Sequence, residues 1–151
     1  MEKIIVRIDG TEMTTGIGTE LLELVDRYSI SYMDNPIAAA YVNGSIVSLR
    51  EKLEGNAEIK TIRVISPEGK RIYRKSLCFL LCYASALIAP DRTLIIGHSL
   101  GDGFFFRYRD GHKPDTDKLR RAMEDAVRNN LPIDLVMLTA EEALRYSEDR
   151  H

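Results

Sequence analysis

The chain has little cysteine, no long apolar run and almost no net charge, and each shortage removes a class of protein. Cys78 and Cys82 are the two cysteines. They lie four apart in an apolar, helix-patterned stretch where a disulfide would fight the helix, so free thiols in a reducing, cytoplasmic setting are expected. No apolar run reaches the ~18 residues that span a bilayer. The start, Met1-Glu2-Lys3-Ile4-Ile5-Val6, lacks the charged, apolar, small-residue order of a signal peptide, and no membrane partner is expected. The 21 basic and 23 acidic residues leave a net charge of −2, which excludes bulk attraction to nucleic acid or anionic lipid; any such binding is local. A Walker phosphate loop, G-x-x-x-x-G-K-[ST], is missing, so the chain by itself holds no nucleoside triphosphate in that manner. No metal is expected, because a zinc site wants four ligands at recognisable spacing and Cys78 and Cys82 have only His98, His112 and His151 to join them. Both thiols are expected as small apolar core groups. No internal repeat or low-complexity segment is present.

What is there is enough to fold: 151 residues at 44% hydrophobic content build a core. Residues 3 to 8 predict a strand, Asp9-Gly10 a turn, and residues 12 to 17 a second strand. Leu21, Leu22, Leu24 and Val25 follow Thr19 at helical spacing, ending near Tyr28. Residues 38 to 42, the hairpin signal Asn43-Gly44, residues 46 to 49 and residues 59 to 65 predict three more strands. An α+β layer of one helix across a sheet follows. Ser66-Pro67-Glu68-Gly69 is taken as a turn and as the domain boundary, dividing the chain into residues 1–66 and 67–151. Beyond it Leu77, Leu80, Leu81, Ala84, Leu87 and Ile88 recur at helical spacing until Pro90. Residues 117 to 129 predict another helix, with Thr116 as N-cap and Leu119, Met123, Ala126 and Val127 inward. Residues 133 to 138 predict a strand, and Thr139-Ala140-Glu141-Glu142 is a capping box that opens a last helix.

Gly97-His98-Ser99-Leu100-Gly101 matches the G-x-S-x-G nucleophile elbow literally. That motif needs a strand, a sharp turn and a helix. Here Leu94, Ile95 and Ile96 predict a strand, but Phe104, Phe105, Phe106 and Tyr108 predict another. The glycine-rich stretch is therefore expected as a β-turn, with Gly97, Gly101 and Gly103 serving positive φ or close approach. His98 is a candidate ligand-contacting group or a hydrogen-bonded structural residue. Lys70-Arg71-Ile72-Tyr73-Arg74-Lys75 is the concentrated basic stretch. At or before a helix N-terminus its cations oppose the helix dipole, unless an anion shares the site. It is either a solvated charged face or an anion or RNA contact through Lys70, Arg71 and Arg74.

Two stretches carry a family resemblance. "RKSLCFLLCYASALIAP" followed by "LIIGHSLGDGFFF" resembles the second N-terminal domain of threonyl-tRNA synthetase. "AAAYVNGSIVSLREKLEGNAEIKTIRV" before it is similar to the closing half of a TGS domain, a ubiquitin-like β-grasp module, and "LRRAMEDAVRNNLPIDLVMLTAEEALRY" continues the likeness. The implied fold is a TGS-like β-grasp followed by a synthetase editing-domain-like α/β domain. In the synthetase two histidines four apart help hydrolyse mischarged tRNA, and the matching positions here are Lys75 and Phe79. Neither replaces a proton-handling imidazole, so editing is expected to be absent. The run Ser66-Pro67-Glu68-Gly69-Lys70-Arg71-Ile72-Tyr73-Arg74-Lys75-Ser76-Leu77-Cys78-Phe79-Leu80-Leu81 also resembles the same region of bacterial uridine kinase-like nucleoside kinases. That resemblance implies a noncatalytic regulatory or ligand-binding region whose partner is a downstream kinase domain, with ATP and Mg held there and no cofactor here. The degenerate cleft is expected to take a nucleotide, nucleoside or RNA. Its candidate residues are Lys75 for an anion, His98, Ser99 and Asp102 for polar contacts, and Arg107 for charge. The alternatives are a stand-alone RNA- or tRNA-binding module related to the synthetase, and a residual hydrolase using Ser99 or Cys78.

Overall fold

The computed structural model describes residues 2–27, 35–101, 103–133 and 136–148. They fold as two compact units, residues 1–82 and 83–151.

The first unit grows from alternation. In β1 (Lys3–Ile8) the side chains of Ile4, Val6 and Ile8 are buried, while Lys3, Ile5 and Arg7 face outward, the period-two pattern of a half-covered strand. Asp9 and Gly10 both take positive φ, as a two-residue hairpin turn requires, and β2 (Thr11–Gly16) returns antiparallel. Helix α1 (Leu21–Arg27) buries Leu21, Leu24 and Val25. Its first N–H groups are satisfied by the loop ahead of β5: Leu21 donates to the carbonyl of Glu51 at 3.0 Å and Leu22 to that of Leu49 at 2.7 Å. Asn43 and Gly44 repeat the positive-φ turn between β3 (Ile37–Val42) and β4 (Ser45–Val47). β5 (Ala57–Arg63) lies parallel to β1 and antiparallel to β3. The sheet order is β2-β1-β5-β3-β4, with Ile4, Val6, Ile8, Leu21, Leu24, Leu53 and Ile59 in one core. This is the β-grasp expected from the sequence. Tyr28, the expected end of the first helix, lies outside the described residues.

Helix α2 (Pro67–Ile88) starts earlier than the sequence pattern implies. Ser66-Pro67-Glu68-Gly69 is no free turn: the Gly69 N–H donates to Ser66 Oγ at 3.0 Å, and proline and an acid occupy the first helical turn, as they do at natural helix starts. Gly69 is buried against β5's end, where an added Cβ would lie 1.9 Å from the Arg63 carbonyl oxygen. The first turn of α2 therefore packs with the first unit, and the division between units falls inside the helix.

The second unit holds the rest of α2, the antiparallel hairpin of β6 (Leu94–Leu100) and β7 (Gly103–Tyr108), α3 (Thr116–Arg128) and α4 (Ala140–Glu148). Among the described residues its buried groups are few: Ala84, Ser85, Tyr108, Leu119 and Ala126. Ser85 Oγ and the Tyr108 hydroxyl lie 3.5 Å apart in that core. Asp115, not Thr116, caps α3, accepting from the Lys118 N–H at 3.1 Å. Leu119 and Ala126 do face inward, but Val127 is 68% exposed, one residue too far round the helix. The capping box holds: the Thr139 N–H donates to Glu142 Oε2 at 2.8 Å and the Glu142 N–H returns to Thr139 Oγ1 at 3.3 Å. Of the strand expected at 133 to 138, residues 134 and 135 lie outside the described residues, and Ile133, Val136, Met137 and Leu138 are exposed and form no strand. Apolar content alone makes no strand without a neighbour to pair.

Candidate functional site

The basic stretch lies on α2, beginning in its second turn. Lys70 and Arg74, and Arg71 and Lys75, are i,i+4 neighbours and so share a face of the helix. Lys70, Arg71 and Lys75 are exposed and make no ion pair among the described residues, while Arg74 is half-buried and engaged. Like charges at this spacing destabilise a helix by about 0.2–0.5 kcal/mol per pair, and cations near a helix N-terminus add to that cost. Several cations elsewhere are matched: Arg120 meets Asp117 at 3.3 Å, Arg128 meets Asp125 at 2.8 Å, and Arg92 pairs with Asp110. The stripe concentrates positive charge locally on a chain of near-neutral net charge.

The second set of expected residues sits on the hairpin. Between Ile96 and Ser99 the register slips: Ile96 faces Phe106 and Ser99 faces Phe104. Gly97 and His98 thus oppose Phe105 alone, a β-bulge, which re-aims a side chain. A Cβ on Gly97 would lie 3.4 Å from the Phe105 carbonyl oxygen, at the edge of ordinary contact, while Gly101 takes φ +59° at the turn. His98 and Ser99 are exposed, and Arg107, opposite Ile95, is exposed with its guanidinium donating to the Tyr108 carbonyl at 3.4 Å. Asp102 lies outside the described residues. The bulge thus gathers His98 and Ser99 at one end of the hairpin, with Arg107 further along β7. Ser99 runs from strand through turn into strand, so it lacks the strand-to-helix geometry of a nucleophile elbow.

The cysteines differ from the expectation. Cys78 is half-buried and Cys82 exposed, both free, on a part of α2 where Phe79 is also exposed; they are not core groups. Partial burial of the sulfur, then the neighbouring Cys78, push the Cys82 thiol above its ordinary range. Among the described residues no group of three His, Cys, Asp or Glu side chains could hold a metal ion, and no helix is long and apolar enough to cross a membrane. Two carboxylates are held below their usual range. Asp115 is lowered chiefly by the Lys118 backbone N–H, and Glu142 chiefly by the Thr139 backbone N–H.

One feature escaped the sequence reading: a groove of about 350 Å³ in the second unit, between the end of α2 and α3. Its signal was present in the spacing of Lys118, Arg121, Asp125 and Asn129, which puts them along one helix face beside the small Ala122 and Ala126.

No family model matches the chain. Curated proteins do. It is 30% identical over 142 residues to a threonine–tRNA ligase of Desulforamulus reducens, covering 91% of this chain and 22% of that protein. It is 28% identical over 144 residues to that of Rubrobacter xylanophilus, covering 93% and 22%, and 29% identical over 114 residues to that of Carboxydothermus hydrogenoformans, covering 74% and 18%. The chain spans about a fifth of the length of these relatives. With the folded elements above, the matches bear out an α+β chain in which a TGS-like β-grasp precedes a domain similar to one of threonyl-tRNA synthetases.

Proposed function

We propose that this chain is an RNA-contacting module, noncatalytic by itself, that engages tRNA through Lys70, Arg71 and Lys75 on α2. The observation that carries the reading is that stripe: exposed cations without ion-pair partners among the described residues, in a chain that aligns along most of its length with threonine–tRNA ligases. Phosphate contact relieves both the like-charge repulsion along the helix and the mismatch with its dipole. The relatives support this tRNA-related reading over the nucleoside-kinase reading, which rests on residues 66–81 alone. The hairpin residues His98, Ser99 and Arg107 are proposed as accessory polar contacts.

The test is a mobility-shift titration of unfractionated tRNA with the whole chain and with the triple variant Lys70→Glu, Arg71→Glu, Lys75→Glu. The account expects at least a tenfold loss of affinity, about 1.4 kcal/mol, with the circular dichroism spectrum unchanged. Equal affinity of a folded variant contradicts it. Lys75 and Phe79, at the positions of the synthetase's histidines, lead to a second expectation. Mischarged tRNA incubated with the chain loses its amino acid no faster than in buffer, and enzymatic release contradicts the noncatalytic part of the proposal.

A further inference from the structure

The groove between α2 and α3 joins an apolar wall to a charged rim. Tyr83 and Leu87 of α2 form the wall and remain 41% and 62% exposed. The facing residues on α3 are Ala122 and Ala126, too short to fill the space, so the phenol ring and the leucine are left open to a third body. On the rim, Lys118, Arg121 and Asp125 follow one another at i, i+3 and i+7 on the same helix face, with Asn129 at the helix end. Lys118 is shared with Asp115 at 3.5 Å and Asp125 with Arg128 at 2.8 Å. Arg121 makes no ion pair among the described residues.

A guanidinium without a carboxylate, beside an open aromatic ring and a hydrogen-bond acceptor, has a specific complement. It is an anion with a flat apolar body carrying N–H donors. A guanidinium takes phosphate oxygens through two parallel hydrogen bonds. An aromatic ring takes a nucleobase by stacking, whatever the base, because every base has a π-face. The Asp125 carboxylate accepts from a base N–H, and the Asn129 amide both donates and accepts. The volume lies at the lower end of the range for small-molecule sites, about 300–1,000 Å³.

We propose that this groove seats one nucleotide, its base against Tyr83 and Leu87 and its phosphate on Arg121 and Lys118, either free or as an unpaired nucleotide of an RNA. The site goes beyond the α2 stripe and does not depend on it.

The experiment follows backbone amide shifts of the whole chain during titration with AMP, with UMP and with a short single-stranded RNA of mixed sequence. The proposal expects shifts centred on Arg121, Ala122, Asp125 and Asn129. It also expects about a tenfold loss of affinity in Arg121→Glu and in Tyr83→Ala, with affinity kept in Tyr83→Phe. Arg121 is exposed on the helix, so its variant stays folded, which the unchanged amide spectrum of β6 and β7 verifies. Groove shifts with AMP or UMP but not with the RNA identify a free nucleotide; groove shifts with the RNA at lower concentration than with AMP or UMP identify a nucleotide in RNA. Binding of RNA through the α2 stripe with the groove amides unmoved by all three probes overturns this proposal and leaves the tRNA reading standing. Groove shifts without any tRNA binding do the reverse. Affinity unchanged in Arg121→Glu also overturns it.

Discussion

At the scale of single residues, the structure is most sensitive where backbone meets backbone. Gly69 leaves no room for a methyl group, since its Cβ would sit 1.9 Å from the carbonyl oxygen and 2.6 Å from the carbonyl carbon of Arg63. Neither atom is the end of a flexible side chain. Gly69→Ala therefore forces α2's first turn away from β5 and costs about 1–3 kcal/mol or more, read as a lowered midpoint in urea. A midpoint within error of the parent contradicts that packing. Leu24, fully buried in the β-grasp core, is expected to lose about 2–5 kcal/mol on truncation to alanine. Val127 at 68% exposure is expected to tolerate alanine within about 0.5 kcal/mol. The Val127 substitution tests the face of α3 that sequence periodicity wrongly assigned inward. The Cys82 thiol, pushed upward by partial burial and by Cys78, stays protonated at neutral pH. It is expected to react with iodoacetamide more slowly than free cysteine; equal rates contradict this.

At the scale of elements, legibility followed locality. Asn43-Gly44, the alternation of β1, and the reciprocal bonds between Thr139 and Glu142 depend on residues a few positions apart, and the sequence displayed them directly. Ser66-Pro67 was equally local but ambiguous, because serine followed by proline serves both a turn and the first two positions of a helix. The choice was made by the Ser66 hydroxyl and by the seat of Gly69 against β5. Residues 133 and 136 to 138 form no strand for the opposite reason: a strand is completed by a neighbour, and among the described residues that neighbour is missing. The chemistry of α2 combines these points. Its Lys70–Arg74 and Arg71–Lys75 neighbours oppose helix stability, so Arg71→Gln is expected to raise the thermal midpoint slightly while weakening tRNA binding. A destabilised Arg71→Gln variant contradicts the account of the stripe as a strained surface.

At the scale of the whole molecule, near-neutral charge hides an uneven distribution. Asp115 and Glu142 each cap a helix of the second unit with a carboxylate held below its usual range. A group whose folded pKa is depressed adds stability above its unfolded pKa and loses it as pH falls through the folded value. The second unit is therefore expected to weaken below the ordinary carboxylate range, and Asp115→Asn with Glu142→Gln is expected to flatten that acid limb. The α-helical and β-grasp architecture could be reached from sequence patterns and resemblance together. The division between units could not, because it lies within a continuous helix whose apolar spacing runs on past it.

The central claim is that α2 offers phosphate-binding cations, and the salt dependence of tRNA binding tests it most directly. Neutralising three phosphates gives a slope of log affinity against log salt of about −2 to −3. The account predicts that slope for the parent chain and its collapse toward zero when Lys70, Arg71 and Lys75 are replaced by glutamine. A slope near zero in the parent, or one that the triple replacement leaves unchanged, contradicts the account.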